Sequence, residues 1–185
     1  MSARPAVRLP PGTTALGNAE IAECRTMGLF CSSKCPGGLI LQTYEYIREL
    51  YEPDLTVVGG FHSPMEMECL TLLLRNKQKV ILCPARSIEN MRLPLPLKRP
   101  LAEGRLLLAS PFEKGHRRAT EGAAHLRNQF VASISDQIFV AHAAPGSKTE
   151  AFCQELLEQG KRLVTLASEH NAALIANGAQ VVPAR

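Results

Sequence analysis

No uninterrupted apolar stretch in this chain approaches the roughly 18 to 20 residues that cross a bilayer, so no membrane partner is expected. The opening segment, MSARPAVRLPPGTTALG, carries Arg and Pro but lacks the apolar block of a secretory signal, which makes cytoplasmic residence the default expectation. In that compartment the six cysteines (Cys24, Cys31, Cys35, Cys69, Cys83, Cys153) read as reduced thiols, mostly packed as small apolar groups. Structural zinc takes four ligands, usually from two paired motifs. Cys31-Ser32-Ser33-Lys34-Cys35 is a single pair and the other cysteines are isolated, so no metal is expected. A Walker-type phosphate loop and a GxSxG nucleophile elbow are both missing, which removes the common triphosphatase and serine-hydrolase classes. Internal repeats and low-complexity tracts are absent as well.

What is present fits one soluble domain. With 185 residues, 45% hydrophobic and 21% charged, the chain can bury a sizeable core and has none of the signature of disorder. Residues 1 to 16 read as an N-terminal tail and 17 to 185 as the domain. The net charge of +4 permits an anionic ligand without demanding one, so clustering matters more than the total. Arg86, Arg92, Lys98, Arg99 and Arg105 fall in one stretch, and Lys114, His116, Arg117, Arg118 and Arg127 in the next.

From Met27 onward, short aliphatic runs alternate with longer helix-patterned segments, the order that predicts an α/β fold with a mostly parallel sheet of six or seven strands and helices on both faces. The strand candidates are Met27 to Cys31, Leu55 to Val58, Lys79 to Cys83, Arg105 to Ser110, Gln137 to Ala143, Arg162 to Leu166 and Gln180 to Val182. Ser63 can cap and Pro64 can open a helix after the second of these. A long helix is expected from Arg117 to Ser135, another from Ser147 through Gln159, and a short one near Asn171 to Ala176. Ala85 to Gly104, with three prolines, reads as a long loop.

Parallel strands need right-handed crossovers, which put every strand-to-helix loop on one edge of the sheet, the usual ligand edge. The unusual residues all fall in such loops. Pro145-Gly146-Ser147-Lys148-Thr149-Glu150 opens a helix whose free amides and dipole favour a phosphate, with hydroxyls from Ser147 or Thr149. The same residues also read as a plain cap, Ser147 with Glu150 as a capping box. Gly59 and Gly60 let backbone approach a ligand closely, or simply make a tight turn. His62 beside them could contact phosphate, though a lone histidine at a turn is more often a surface group. Ser32, Ser33 and Lys34 form a polar cradle after the first strand, and Arg86 follows the third. Arg127 and Asn128 lie within a helix; arginine suits bidentate phosphate contact, and a solvated helix face is the plain reading.

In sequence order these segments resemble the Rossmann-like core of the DNA-processing protein A (DprA/Smf) family, part of the SLOG superfamily that also holds the LOG proteins. Val57-Val58-Gly59-Gly60-Phe61-His62 resembles the family's strand and Ser-Gly-Leu-Ala turn. Ile81 to Pro94 and Gly104 to Phe112 resemble its third and fourth strands. Leu126 to Asp136 resembles its Arg-Asn-Arg-Ile-Ile-Ala-Gly-Leu-Ser signature, and the spacing to Gly146-Ser147 and to Asn171 through Ala179 agrees. The resemblance implies single-stranded DNA binding, with Ser32, Ser33, Lys34, Gly60, Arg127, Asn128, Gly146 and Ser147 lining the pocket. It further implies a homodimer and a recombinase partner; no cofactor is implied. The family's Gly-Ser-Arg is replaced here by Ser32-Ser33-Lys34, and its helical N-terminal module and C-terminal winged helix are not expected. The LOG branch implies an alternative, a nucleoside 5'-monophosphate phosphoribohydrolase using Arg127 and Glu150, although Pro145 to Glu150 is one residue short of that motif and lacks two glycines. A nucleotide-ligand sensor is a third reading. Binding is favoured over catalysis, because function is argued from the site and not the fold.

Overall fold

The computed structural model describes residues 9 to 182. The first expected tail residues, 1 to 8, lie outside that range. The sheet begins earlier than expected: Thr14–Gly17 form β1, which pairs antiparallel with the strand at Leu106–Ser110. Four residues beside Gly12 carry no apolar alternation, so only the partner strand reveals them.

The remaining strands run in the order met in the sequence, β2 (Arg25–Cys31), β3 (Leu55–Gly59), β4 (Lys79–Leu82), β5 (Leu106–Ser110), β6 (Gln137–His142), β7 (Leu163–Thr165) and β8 (Gln180–Val181). They make one eight-stranded sheet in the order β1-β5-β4-β3-β2-β6-β7-β8, parallel except for β1. Sheets covered on both faces read as continuous apolar runs. β5 shows this directly: Leu106 and Leu108 pack on one face, Leu107 and Ala109 on the other, and all four are fully buried.

One face is covered by α1 (Gly37–Glu49), α2 (Pro64–Arg75) and α3 (Leu95–Ala102). The other carries a 3₁₀ helix at Ala19–Glu23 with α4 (Glu121–Ser133), α5 (Lys148–Glu158) and α6 (Ala172–Ala176). α2 starts as expected, with Ser63 as the cap and Pro64 in the first turn, where its missing N–H costs nothing. α3 corrects the expectation of a structureless loop from 85 to 104. Pro96 occupies its first turn and Pro100 sits inside it, but over eight residues this forfeits little hydrogen bonding, and Leu97 and Pro100 are buried. α4 begins at Glu121 and not at Arg117, because the Thr120 hydroxyl accepts the Ala123 amide (3.1 Å) and fixes the start there.

The central seam is fastened at its amino end. The Thr26 amide donates to Asp136 Oδ2 (2.8 Å), and the Asp136 amide donates to the Thr26 hydroxyl (3.1 Å). β2 and β6 then run side by side to their carboxyl ends, where the register shifts between Phe30 and Cys31. Such a bulge re-aims the residues that follow it.

Candidate functional site

Strand order reverses between β2 and β6: β3, β4 and β5 continue to one side, β7 and β8 to the other. The chain leaving β2 therefore turns to the α1 face while the chain leaving β6 turns to the α5 face, and a crevice opens between the two loops. Their walls are tied together beneath it. Buried Ser32 accepts the Ala144 amide on its hydroxyl (2.9 Å), lies 3.1 Å from the Ser147 hydroxyl, and gives its own amide to the His142 carbonyl (2.9 Å).

Ser147 is also the N-cap of α5, accepting the Glu150 amide (3.1 Å). The Ser147 amide is already given to the Ala144 carbonyl (3.0 Å), so the Glu150 carboxylate takes the Gly146 amide instead (2.7 Å). Gly146 adopts φ +71°, the left-handed conformation that glycine reaches without strain. The expected cap is thus present in a variant form.

Two clefts meet at Ser33. The first, about 530 Å³, lies between the loop after β2 and the facing sides of α4 and α5; Arg127, Asn128, His62, Lys148 and Thr149 line it. Arg127 is only 2% exposed, which for a guanidinium demands partners. Its Nη1 donates to the Cys83 carbonyl (3.1 Å), its Nε to Asn128 Oδ1 (2.8 Å), and its Nη2 lies 3.2 Å from His62 Nδ1. Burial pulls its pKa down, while the charges of Glu66 and Cys83 oppose that pull. Arginine starts so high that it stays a cation.

Glu66, which the residue pattern did not single out, is the buried counter-charge. It completes the capping box with Ser63, and its Oε2 accepts the amides of His62 and Ser63 (3.2 Å each) and lies 3.0 Å from His62 Nδ1. Burial by itself would raise the Glu66 pKa; the hydrogen bond and charge of His62, with the two amides, bring it below the ordinary carboxylate value. Arg127 can only donate and Glu66 can only accept, so His62 Nδ1 serves one of them at a time. A glutamate three residues after Ser63 was the available signal.

The second cleft, about 640 Å³, is lined by Ser33, Lys34, Cys35, Tyr44 and His142 among others. Lys34 therefore belongs to a neighbouring compartment of the same crevice, not to the Arg127 cleft. Gly60 lies directly against the Arg127 guanidinium. Gly59 is buried, its carbonyl taken by the Cys83 amide (2.8 Å). Lys148 pairs with Glu121 at the rim of the first cleft (2.5 Å). Gly146 and Glu150 line neither cleft, so Arg127 and Glu150 are not brought together on one cleft wall. Arg86 is exposed and lines neither; only its carbonyl is engaged, by the Ser110 hydroxyl (2.9 Å). Among the described residues no cluster of three or more His, Cys, Asp or Glu is arranged to hold a metal.

No protein-family model matches the chain, and no curated protein sequence matches it. Solved structures do. DNA processing protein A from Streptococcus pneumoniae superposes with a TM-score of 0.75 at 20% identity, over 92% of this chain and 62% of that one. This chain thus spans less than two thirds of that protein. The Helicobacter pylori DNA processing protein A, which binds single-stranded DNA, superposes at 0.76 and 17% identity over 98% of this chain and 88% of its own. The molybdenum cofactor carrier protein of Chlamydomonas reinhardtii reaches 0.53 at 14% identity, over 86% and 90%. The chain has the Rossmann-like fold of the DNA processing protein A structures.

Proposed function

We propose that the crevice between β2 and β6 binds single-stranded DNA and that the protein acts in DNA processing. The observation that carries this reading is the pair of clefts sharing Ser33, one with Lys34 at its wall and the other with Lys148 and buried Arg127. Together they form a track longer than a mononucleotide needs, with a cation in each half to meet successive phosphates. The fold likeness to a Helicobacter pylori protein that binds single-stranded DNA supports the same ligand. A homodimer and a recombinase partner belong to this reading, as does a cytoplasmic location. No described helix is long and apolar enough to cross a membrane.

The test is a fluorescence-anisotropy titration with a short single-stranded oligonucleotide at several salt concentrations. Affinity should fall steeply with salt, since each neutralised phosphate of a single strand contributes a slope of about −0.7. Lys34→Ala and Arg127→Ala should each weaken binding, with circular dichroism confirming the fold. Unchanged affinity in both variants would sink the proposal.

A further inference from the structure

The floor of the second cleft holds a histidine whose protonation pattern the protein itself dictates. His142, at the end of β6, is 4% exposed. Its Nδ1 lies 3.2 Å from Asn171 Oδ1. The orientation of the Asn171 amide is set by its surroundings: Nδ2 faces the Ala141 carbonyl (3.1 Å), the Leu166 carbonyl (3.3 Å) and the Thr165 hydroxyl (2.9 Å). Two of these are carbonyls, which can only accept, so the amide nitrogen must be the atom beside them. The Thr165 hydroxyl gives its proton to the Val140 carbonyl (2.7 Å), so it too accepts from Asn171. The amide oxygen is therefore turned to His142, and a carbonyl oxygen there requires Nδ1 to carry a proton. In the neutral ring Nε2 is then left with a bare lone pair, and it has no hydrogen-bond partner among the described residues.

We propose that the His142 cleft is a nucleobase subsite in which Nε2 accepts a hydrogen bond from an N–H on the base edge, with the Tyr44 ring as an apolar wall and Lys34 placed for the adjoining phosphate. The cleft is large enough for a base, since about 640 Å³ falls in the range of small-ligand sites. Its chemistry also suits a base, with one buried acceptor amid Ile40, Tyr44, Pro64 and Met65, and a single cation. An apolar wall with a single placed polar atom is how a pocket fixes orientation, and a donor-only demand at Nε2 excludes a phosphate or a carbonyl as the buried partner. This inference rests on the single-strand reading of the crevice, because a strand passing Ser33 delivers its next base here.

The experiment uses the full chain labelled with ¹⁵N at histidine, at a pH where an ordinary histidine is neutral. The probes are a thymidine decamer, whose base has one N–H donor, and the same decamer methylated at N3, which has none. The free protein should show His142 protonated at Nδ1, and the unmodified decamer should shift Nε2. The methylated decamer should leave Nε2 unmoved and bind about three- to tenfold more weakly, the span of one neutral hydrogen bond. His142→Phe should bind both decamers equally, which separates the lost donor from the bulk of the added methyl group. A free protein protonated at Nε2, or decamer binding that leaves Nε2 unmoved, overturns the subsite alone. Failure of the wild-type protein to bind the unmodified decamer at all overturns both the subsite and the single-strand reading.

Discussion

A Cβ at Gly60 would stand 1.9 Å from Arg127 Nη1 and 2.2 Å from its Cζ, so the guanidinium occupies the space that any side chain at position 60 would need. The glycine is required for what it leaves out. Gly60→Ala must push Arg127 off the Cys83 carbonyl and His62, in a site where the cation is buried. Expected is a loss of about 1 to 3 kcal/mol, the usual cost of overpacking and of orphaned buried partners. Urea denaturation measures it, and the variant should lose single-strand binding alongside. An alanine variant as stable as the parent would refute the packing described.

Glu66 should set part of the acid limb of stability. Its folded pKa lies below the ordinary carboxylate value, so its ionised form stabilises the fold at all pH above about 4.3. That contribution is lost as pH falls below this point toward the folded value. Glu66→Gln should therefore be less stable than the parent near neutrality, with the gap closing in acid. Thermal melts across that range decide the matter, and a gap independent of pH would count against the role.

Ser32 and Ser147 should be coupled. Ser147→Ala removes the cap of α5 at a cost of about 1 kcal/mol. Ser32→Ala orphans the Ala144 amide and should cost a similar amount, roughly 1 kcal/mol. Because the two hydroxyls touch, the double variant should lose less than the sum of the single losses. Strict additivity in a double-mutant cycle would show that the walls of the crevice are held independently.

Cysteine reactivity should rank by site. A hydrogen bond from Cys31 lowers the Cys35 pKa against the opposing effect of burial, whereas burial pushes Cys83 and Cys153 up to about 12. Iodoacetamide at neutral pH should modify Cys35 in the folded protein and reach Cys83 and Cys153 only after denaturation. Peptide mass spectrometry reads the order; equal labelling of Cys83 and Cys35 in the native state would contradict it.

The parallel core was legible because strands buried on both faces must be apolar throughout, as Leu106 to Ala109 are, and because Ser63-Pro64 and Ser147 announce helix starts in their own residue types. β1 was hidden because four half-exposed residues at an edge carry no period of their own. α3 was hidden because proline's cost was counted as if the helix were long. Within the site, the sequence pointed to Lys34, Gly60, Arg127 and Ser147 on one edge. It did not reveal that Lys34 and Arg127 sit in separate compartments, nor that Glu66 balances Arg127, since burial and pairing arise only when α2 and α4 converge on β3. His142 and Asn171 lie 29 positions apart and meet only through the β6–β7 crossover.

The bond from the Gly146 amide to Glu150 bears on how any anion could reach that turn. The start of α5 already hosts a negative group, supplied by the same chain and held close by its tether. An incoming phosphate would have to evict a resident that never diffuses away, so Gly146 is a guarded position, and traffic through the crevice is steered toward Lys34 and Arg127.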